Sequence, residues 1–287
     1  MPELPEVETL RRELSKVIKN KKIKSAEILW AKTVNPLSEH EFQKKIKGQK
    51  IEKVERQAKI LIVNFTGHLS LAFHLKMTGQ LIFKHDKKMI VGGHPAPEDE
   101  KILPNNHTRL ILTFSDNSKL YFNDMRKFGW VRLVDDEEVK LLIGHIGPDP
   151  LSKKFSIQYL IDLFKKYPKW TVKQILMDQT LIAGIGNIYA DEAAFLSKLM
   201  PNRKARTIKP AEIKKLHDSI IKVLKLSIQK KGTSSRNYRR TNGKPGGFAP
   251  FLNVYGRAGE PCKICGIILK KMRHNGRGTV YCPKCQR

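Results

Sequence analysis

The sequence predicts an α+β protein built in three consecutive parts: a β-rich N-terminal portion, a helical middle and a small metal-binding C-terminal appendix. Three observations predict it. The first 134 residues carry runs of β-branched and aromatic residues without regular strand–helix alternation, which argues for an antiparallel sandwich or barrel. From about Asp135 the apolar residues recur at helical spacing. All four cysteines fall in the last 26 residues, as Cys262-x2-Cys265-x16-Cys282-x2-Cys285. The expected boundaries are 1–134, 135–235 and 236–287.

Taken in order, Pro5–Ile18 reads as a first helix. Pro5 suits an opening turn, and Val7, Leu10, Leu14 and Val17 recur three and four apart. The period then changes. Ile23–Trp30, Ile51–Phe65, Leu69–Phe83, Thr108–Phe114 and Lys119–Val134 read as β structure, bounded by turn signals such as Thr66-Gly67 and Asp116-Asn117. A short helix over Glu39–Lys47 interrupts them. His85–Asn106, with Gly92-Gly93 and three prolines, reads as a long loop. Beyond it, Ser156–Tyr167, Thr171–Asp178, Ile188–Leu199 and Ala211–Lys230 read as helices. Lys231–Pro250, rich in Gly, Ser and Arg, reads as a basic loop.

The 287 residues carry a formal net charge of +28. The charge is uneven: Pro201–Arg287 holds 22 Lys and Arg against 3 Asp and Glu, leaving +9 for the first 200 residues. A basic C-terminal part is drawn to polyphosphate, which makes nucleic acid the expected partner. No apolar run approaches the roughly 20 residues that span a membrane, and the acidic start Met1-Pro2-Glu3-Leu4-Pro5-Glu6 lacks a signal-peptide core.

Two CxxC pairs on a short hairpin can bring four thiolates to one point, the tetrahedral set that zinc takes. Asn275-Gly276-Arg277-Gly278 between them has the residues of a hairpin tip. Two disulfides or a redox CxxC are the competing readings, without thioredoxin-like context to favour them. With all four ligand positions filled by sulfur the metal is structural, one zinc ion per chain. Thiols kept for a metal fit a reducing compartment, so a cytosolic protein is expected.

Several ordered segments then point one way. They are Met1-Pro2-Glu3-Leu4-Pro5-Glu6-Val7-Glu8-Thr9, Ala58-Lys59, His74-Leu75-Lys76-Met77-Thr78-Gly79 and Asp124-Met125-Arg126-Lys127-Phe128-Gly129. Leu181-Ile182-Ala183-Gly184-Ile185-Gly186-Asn187-Ile188-Tyr189-Ala190 follows, then Val254-Tyr255-Gly256-Arg257-x-Gly259-Glu260-Pro261-Cys262 and Gly276-Arg277-Gly278-Thr279. Over essentially its whole length the chain resembles the bacterial formamidopyrimidine-DNA glycosylases. The resemblance implies an N-terminal antiparallel β-sandwich with flanking helices, a helix–two-turn–helix domain and a four-cysteine zinc finger. It implies a monomer of the bacterial cytosol and nucleoid acting on double-stranded DNA that contains oxidised bases or abasic sites. The activity implied is bifunctional: excision of 8-oxoguanine and formamidopyrimidines through a Schiff base, then β,δ-elimination of the strand. An endonuclease VIII-like enzyme for oxidised pyrimidines and a non-catalytic zinc-containing nucleic-acid binder are the alternatives.

The resemblance also assigns roles. Pro2, freed of Met1, is the nucleophile. An α-amino group titrates near 7.7–8.0, so roughly a tenth is neutral at pH 7. Glu3 is the proton donor to the sugar ring oxygen, although spacing alone does not rank Glu3 above Glu6 or Glu8. Lys59 contacts DNA and assists β-elimination, and Arg277 reaches phosphates beside the lesion. Met77, Arg126 and Phe128 fill the space left by a flipped nucleotide. His107 and Lys173 are phosphate or lesion-loop contacts, and Asn187 holds the DNA backbone, unless it serves as the N-cap of its helix. Thr233–Phe248 covers the flipped base. Where the family often has a second histidine, this chain has Arg109.

Overall fold

The computed structural model describes residues 1–86, 88–93, 102–233 and 247–287. The chain divides into two compact units, Met1–His145 with Lys230–Gly247, and Ile146–Gln229 with Phe248–Arg287.

The first unit opens on helix α1 (Leu4–Ile18), which buries Leu4, Val7, Leu10, Leu14 and Ile18 and, among its charged residues, Glu6. Strand β1 (Ile23–Ile28) and helix α2 (Glu39–Ile46) follow. Then come β2 (Ile51–Gln57), β3 (Ile60–Phe65), β4 (Leu69–His74), β5 (Gly79–His85), β6 (Lys88–Gly93), β7 (Thr108–Phe114), β8 (Lys119–Asp124), β9 (Trp130–Asp135) and helix α3 (Asp136–Gly144). The strands form two antiparallel sheets, ordered β1-β7-β8-β5-β6 and β2-β3-β4-β9. Alternation sets their inner faces. Leu61, Val63, Leu71, Phe73, Val131 and Leu133 of one sheet meet Leu81, Phe83, Leu110, Leu112, Leu120 and Phe122 of the other, with α1 and α2 closing the core.

Strand β6 corrects the long-loop reading of His85–Asn106. Its Gly92-Gly93 is a close-approach feature instead of a loop signal. A Cβ on Gly92 would lie 2.3 Å from Leu10 Cδ1. One on Gly93, at φ 123°, would lie 2.5 Å from the Gly79 carbonyl oxygen. The three long β runs expected at Ile51–Phe65, Leu69–Phe83 and Lys119–Val134 each break into two strands. The breaks, at 58–59, 75–78 and 125–129, are where the candidate residues sit.

The second unit holds helices α4 (Ile157–Lys166), α5 (Val172–Met177), α6 (Asn187–Leu196) and α7 (Pro210–Gln229), followed by the hairpin β10 (Lys270–His274) and β11 (Arg277–Tyr281). Ser156 and Thr171 cap α4 and α5 by accepting from Tyr159 N and Gln174 N. Between α5 and α6 the chain makes two tight turns organised by one side chain. Gln179 donates to the Met177 and Ile185 carbonyls and accepts from Gly184 N. The result is a helix–two-turn–helix. The hairpin packs on α6 through Phe195, Val254, Leu269 and Val280, with Cys262 and Cys282 in the same cluster.

Candidate active site and nucleic-acid interface

Pro2 is buried immediately ahead of α1, with Met1 exposed before it. The three N-terminal acids that spacing does not rank have different partners. Glu6 spends both oxygens as acceptors. Oε2 takes Glu3 N at 3.0 Å, and Oε1 takes Thr233 N at 2.9 Å and Thr233 Oγ1 at 2.7 Å. It thereby ties the N-terminal end of α1 to Thr233. Most of the loop expected to cover a flipped base lies outside the described residues. Glu8 is caged by Arg11, Arg12 and Arg56. Burial alone raises its pKa, and the arginines overcome that and bring it down to about 2. A carboxylate held that low keeps no proton to give at neutral pH. Glu3, buried beside Pro2, is the N-cap residue of α1, and its side chain accepts from the Glu6 N–H in a capping box.

Lys59 lies in the two-residue turn that joins β2 to β3, since Gln57 pairs with Ile60. Only 6 % of it is exposed. Its neighbour Ala58 has φ 53°. Across the sheet, Ile60 pairs with His74. Burial, with the charges of Lys76 and Lys59, pushes the His74 imidazole down to about 3. The neutral ring accepts from Lys76 N at Nδ1, 2.9 Å away, and so shapes the turn that carries Met77.

Two connections pass between the sheets, 75–78 from β4 to β5 and 125–129 from β8 to β9. They run side by side, because His74 pairs with Trp130 and Gly79 with Asp124. Asp124, buried, fastens one to the other. Its Oδ1 accepts from Thr78 Oγ1 and from Arg126 N (3.2 Å), and its Oδ2 accepts from Gly129 N at 2.6 Å. Arg109 supports the same place from behind, donating through Nε to the Asp124 carbonyl and through Nη1 to the Asn106 carbonyl, both at 2.9 Å. Its guanidinium thus braces the loop from within. Lys127, at φ 57°, sets its ammonium 3.8 Å from the Trp30 ring centroid. Held this way, Arg126 stacks over Phe128 at 4.7 Å, and Phe128 is 54 % exposed. A large exposed aromatic on a pinned loop is the opposite of a core residue. Met77 and His107 are half-buried at the same end of the unit.

In the second unit, Lys173, expected as a phosphate or lesion-loop contact, is turned inward. It is 2 % exposed, and Nζ donates to Asp191 Oδ1 at 2.5 Å and Thr279 Oγ1 at 2.7 Å. Asp191 also accepts from Val280 N at 3.1 Å; burial pushes its carboxyl up and the Lys173 charge opposes that. The next residue, Glu192, accepts from the backbone N–H of Asn253, Val254 and Tyr255, at 2.8–3.0 Å. Two adjacent acids on α6 therefore register both the hairpin and the segment entering it. Gly186, not Asn187, is the N-cap of α6. Asn187 turns its Nδ2 to the Gly278 carbonyl at 3.0 Å, while its buried Oδ1 has no hydrogen-bond partner. The hairpin tip is Asn275-Gly276, at φ 46° and 71°, the geometry a two-residue Asn-Gly turn requires. Arg277 leaves it exposed, beside a cavity of about 290 Å³ lined also by Trp170, Gln174, Met177 and His274.

The ligand atoms of the four cysteines lie within 4.8 Å of one another. Cys262 and Cys285 sulfurs are 4.0 Å apart, and Cys265 and Cys282 sulfurs 3.5 Å. Zinc–sulfur bonds of about 2.3 Å in a tetrahedron require sulfurs about 3.8 Å apart, so the set fits one structural zinc with no open position.

A β-sandwich with a buried N-terminal proline–glutamate, a helix–two-turn–helix and a zinc hairpin together define a nucleic-acid-processing protein. The family models identify it further: the formamidopyrimidine-DNA glycosylase N-terminal domain matches residues 1–131, its H2TH domain 146–239, and the zinc finger found in FPG and IleRS 259–287. The formamidopyrimidine-DNA glycosylase of Desulfitobacterium hafniense is 40% identical over 288 residues, covering 100% of both chains. That of Lactobacillus acidophilus is 38% identical, covering 100% of this chain and 99% of its own. Among solved structures, Lactococcus lactis Fpg in complex with an abasic-site DNA superposes with a TM-score of 0.87 at 34% identity over 99% of both chains. The wild-type Lactococcus lactis enzyme with an N7-benzyl-Fapy-dG DNA gives 0.87 at 35% over 100% of both. The chain belongs to the formamidopyrimidine-DNA glycosylase family.

Proposed function

We propose that this chain is a base excision repair enzyme that removes oxidised purines, 8-oxoguanine and formamidopyrimidines, from duplex DNA and then cleaves the strand as an abasic-site lyase. The observation that carries the chemistry is the pairing at the N-terminus: Pro2 and Glu3 are both buried at the start of α1, where Glu3 is the N-cap residue and its side chain takes the Glu6 N–H.

With Met1 removed, the Pro2 nitrogen is a secondary amine. Its lone pair attacks the deoxyribose C1′. The glycosidic bond breaks, and the base leaves with that electron pair and takes up a proton. Glu3 protonates the ring oxygen, the ring opens, and an iminium on Pro2 remains. Loss of a C2′ proton then lets the C3′ phosphate depart with the C3′–O electron pair, and the Lys59 ammonium stabilises that phosphate. Met77, Arg126 and Phe128 replace the stacking that the flipped nucleotide loses. Arg277 takes phosphates, and the zinc holds the hairpin that presents it. The monomeric state and cytosolic location follow the family reading; no helix among the described residues is long and apolar enough to cross a membrane.

Borohydride trapping tests the proposal. Met1-free protein on a duplex with 8-oxoguanine opposite cytosine is expected to give a covalent adduct on the peptide that begins with Pro2. No adduct with any damaged duplex would leave a non-catalytic binder, and an adduct confined to oxidised-pyrimidine DNA would select the endonuclease VIII-like activity.

A further inference from the structure

We propose that Arg56 is a positioning residue for strand cleavage: it fixes the peptide plane from which Lys59 projects and ties that plane to α1. The inference rests on the reading of Lys59 given above. The Arg56 side chain is almost wholly buried and divides its guanidinium between two tasks. Nη1 donates to the Ala58 carbonyl at 3.0 Å, and Nε donates to Glu8 Oε2 at 3.3 Å.

The Ala58 carbonyl belongs to the planar peptide group that joins Ala58 to Lys59, so holding that oxygen sets the direction in which the Lys59 Cα leaves. The hold is needed because Ala58, at φ 53°, sits in a conformation that residues with a Cβ avoid. The other end of the brace is equally firm. Glu8 accepts from Arg11 Nε at 3.0 Å, Arg11 Nη2 at 2.9 Å and Arg12 Nε at 2.7 Å, which fixes it to α1. A continuous polar chain therefore runs from the helix that starts beside Pro2 and Glu3, through Glu8 and Arg56, to the turn of Lys59. A lysine at 56 has no planar fork with which to serve both ends.

The step served is the elimination. The C2′–H bond breaks and the proton passes to water. Its electron pair becomes the C1′=C2′ bond as the iminium pair returns to nitrogen. The enamine then expels the C3′ phosphate, which leaves with the C3′–O pair beside the Lys59 ammonium. Displacing that ammonium by about 1 Å is enough for a loss on the order of a hundredfold.

The test uses Met1-free full-length protein and an abasic-site duplex, so that base excision is bypassed. Strand cleavage is timed in single turnover, adducts are trapped with borohydride, and affinity is measured on an uncleavable tetrahydrofuran duplex. Arg56→Ala is expected to slow cleavage by about 10- to 100-fold, with adduct formation and affinity within about threefold of the parent. Arg56→Lys is expected not to restore the rate. In a Lys59→Ala background, Arg56→Ala is expected to add nothing, because it acts only through Lys59. An equal further loss in that background, or parental cleavage by Arg56→Ala, would overturn the proposal. Parental cleavage by Lys59→Ala alone would instead remove the reading of Lys59, and this inference with it. Glu8→Gln keeps Arg56 but weakens its anchor, and should slow the same step by a smaller factor should Arg56→Ala fail to fold; no slowing there counts against the brace.

Discussion

The 125–129 connection and the zinc hairpin both present an arginine to solvent, but they are held by different means. The connection springs from strands of a two-sheet core, so its ends are already fixed. One buried carboxylate, Asp124, a guanidinium behind it and a lysine on an aromatic ring complete the job. The hairpin has only five-residue strands and shares a small apolar cluster with α6. A segment that size buries too little apolar surface to order itself, and makes up the deficit with a metal and a buried ion pair. Where the core is large, hydrogen bonds suffice to aim a side chain; where it is small, covalent-strength ligation has to do it.

Removing the metal breaks the comparison most severely. Structural zinc in small fingers contributes on the order of 10 kcal/mol. Chelation or Cys282→Ser should unfold β10 and β11 and release Arg277, while the sandwich stays folded. Affinity for an abasic-site duplex is expected to collapse, whereas borohydride adduct formation at Pro2 under saturating DNA survives better. Retained affinity in a zinc-free variant would show that the hairpin does not depend on the metal.

The ion pair comes next. Lys173→Met removes the cation that offsets the burial of Asp191, so the carboxyl is left either to stay charged without its partner or to take up a proton, and breaking such a buried pair costs roughly 3–5 kcal/mol. Adding Asp191→Asn removes that carboxyl and keeps an acceptor for Val280 N. The double variant should therefore unfold in urea at a higher concentration than the single one. Equal midpoints would mean that the pair contributes no more than its separate parts.

These devices mark the limit of what could be read from the chain. Binary patterns gave the β-rich start and the helical stretch after it, most of the helices, and the cysteine set, because apolar period and metal-ligand spacing are local signals; helix α3 was not singled out, and α6 ends three residues earlier than its pattern. Motif resemblance supplied Pro2, Lys59, Met77, Arg126, Phe128 and Arg277. What stayed hidden was the set of polar supports: Asp124 between two connections, Arg109 behind it, Arg56 under the 58–59 peptide, and Glu192 on three amides. Each joins at least one partner far along the chain, so the residues beside it do not reveal its task. Strand β6 was lost for a related reason: its glycines answer to Leu10 and Gly79, not to a turn. Lys173, which the resemblance offered as a phosphate or lesion-loop contact, is buried on Asp191 and Thr279, partners 18 and 106 residues away that its neighbours in sequence do not reveal.

Asp124 sharpens the comparison from the other side. Asp124→Asn offers an amide N–H to the Gly129 N–H, so one charge-assisted bond is lost and two donors face each other. The expected cost is about 1.5–3 kcal/mol in urea unfolding, less than the loss of the ion pair. Arg126 and Phe128 should lose their fixed stacking, weakening binding to lesion duplexes more than to undamaged DNA. An unchanged ratio of the two affinities would argue that the wedge aims itself.

The smallest effect is expected at His74, and it can be isolated by pH. Its folded pKa, about 3, lies below the ordinary value of 6.5, so the folded protein refuses a proton that the unfolded chain accepts. Its contribution is complete above pH 6.5 and is lost as pH falls toward 3. The slope is at most about 1.4 kcal/mol per pH unit for one proton. Glu8 acts in the same direction but lower, between its ordinary 4.5 and its folded value of about 2. In the sandwich the window from pH 6.5 to 4.5 therefore belongs to His74, while in the second unit His274, lowered by burial, and Asp191, raised to about 6 by burial, also titrate across it. His74→Gln should flatten the stability curve of the sandwich there and leave the steeper fall below pH 4.5 in place. A parental slope in that window would show that the ring takes up its proton in the folded state, and that the turn of Met77 does not rely on a neutral Nδ1.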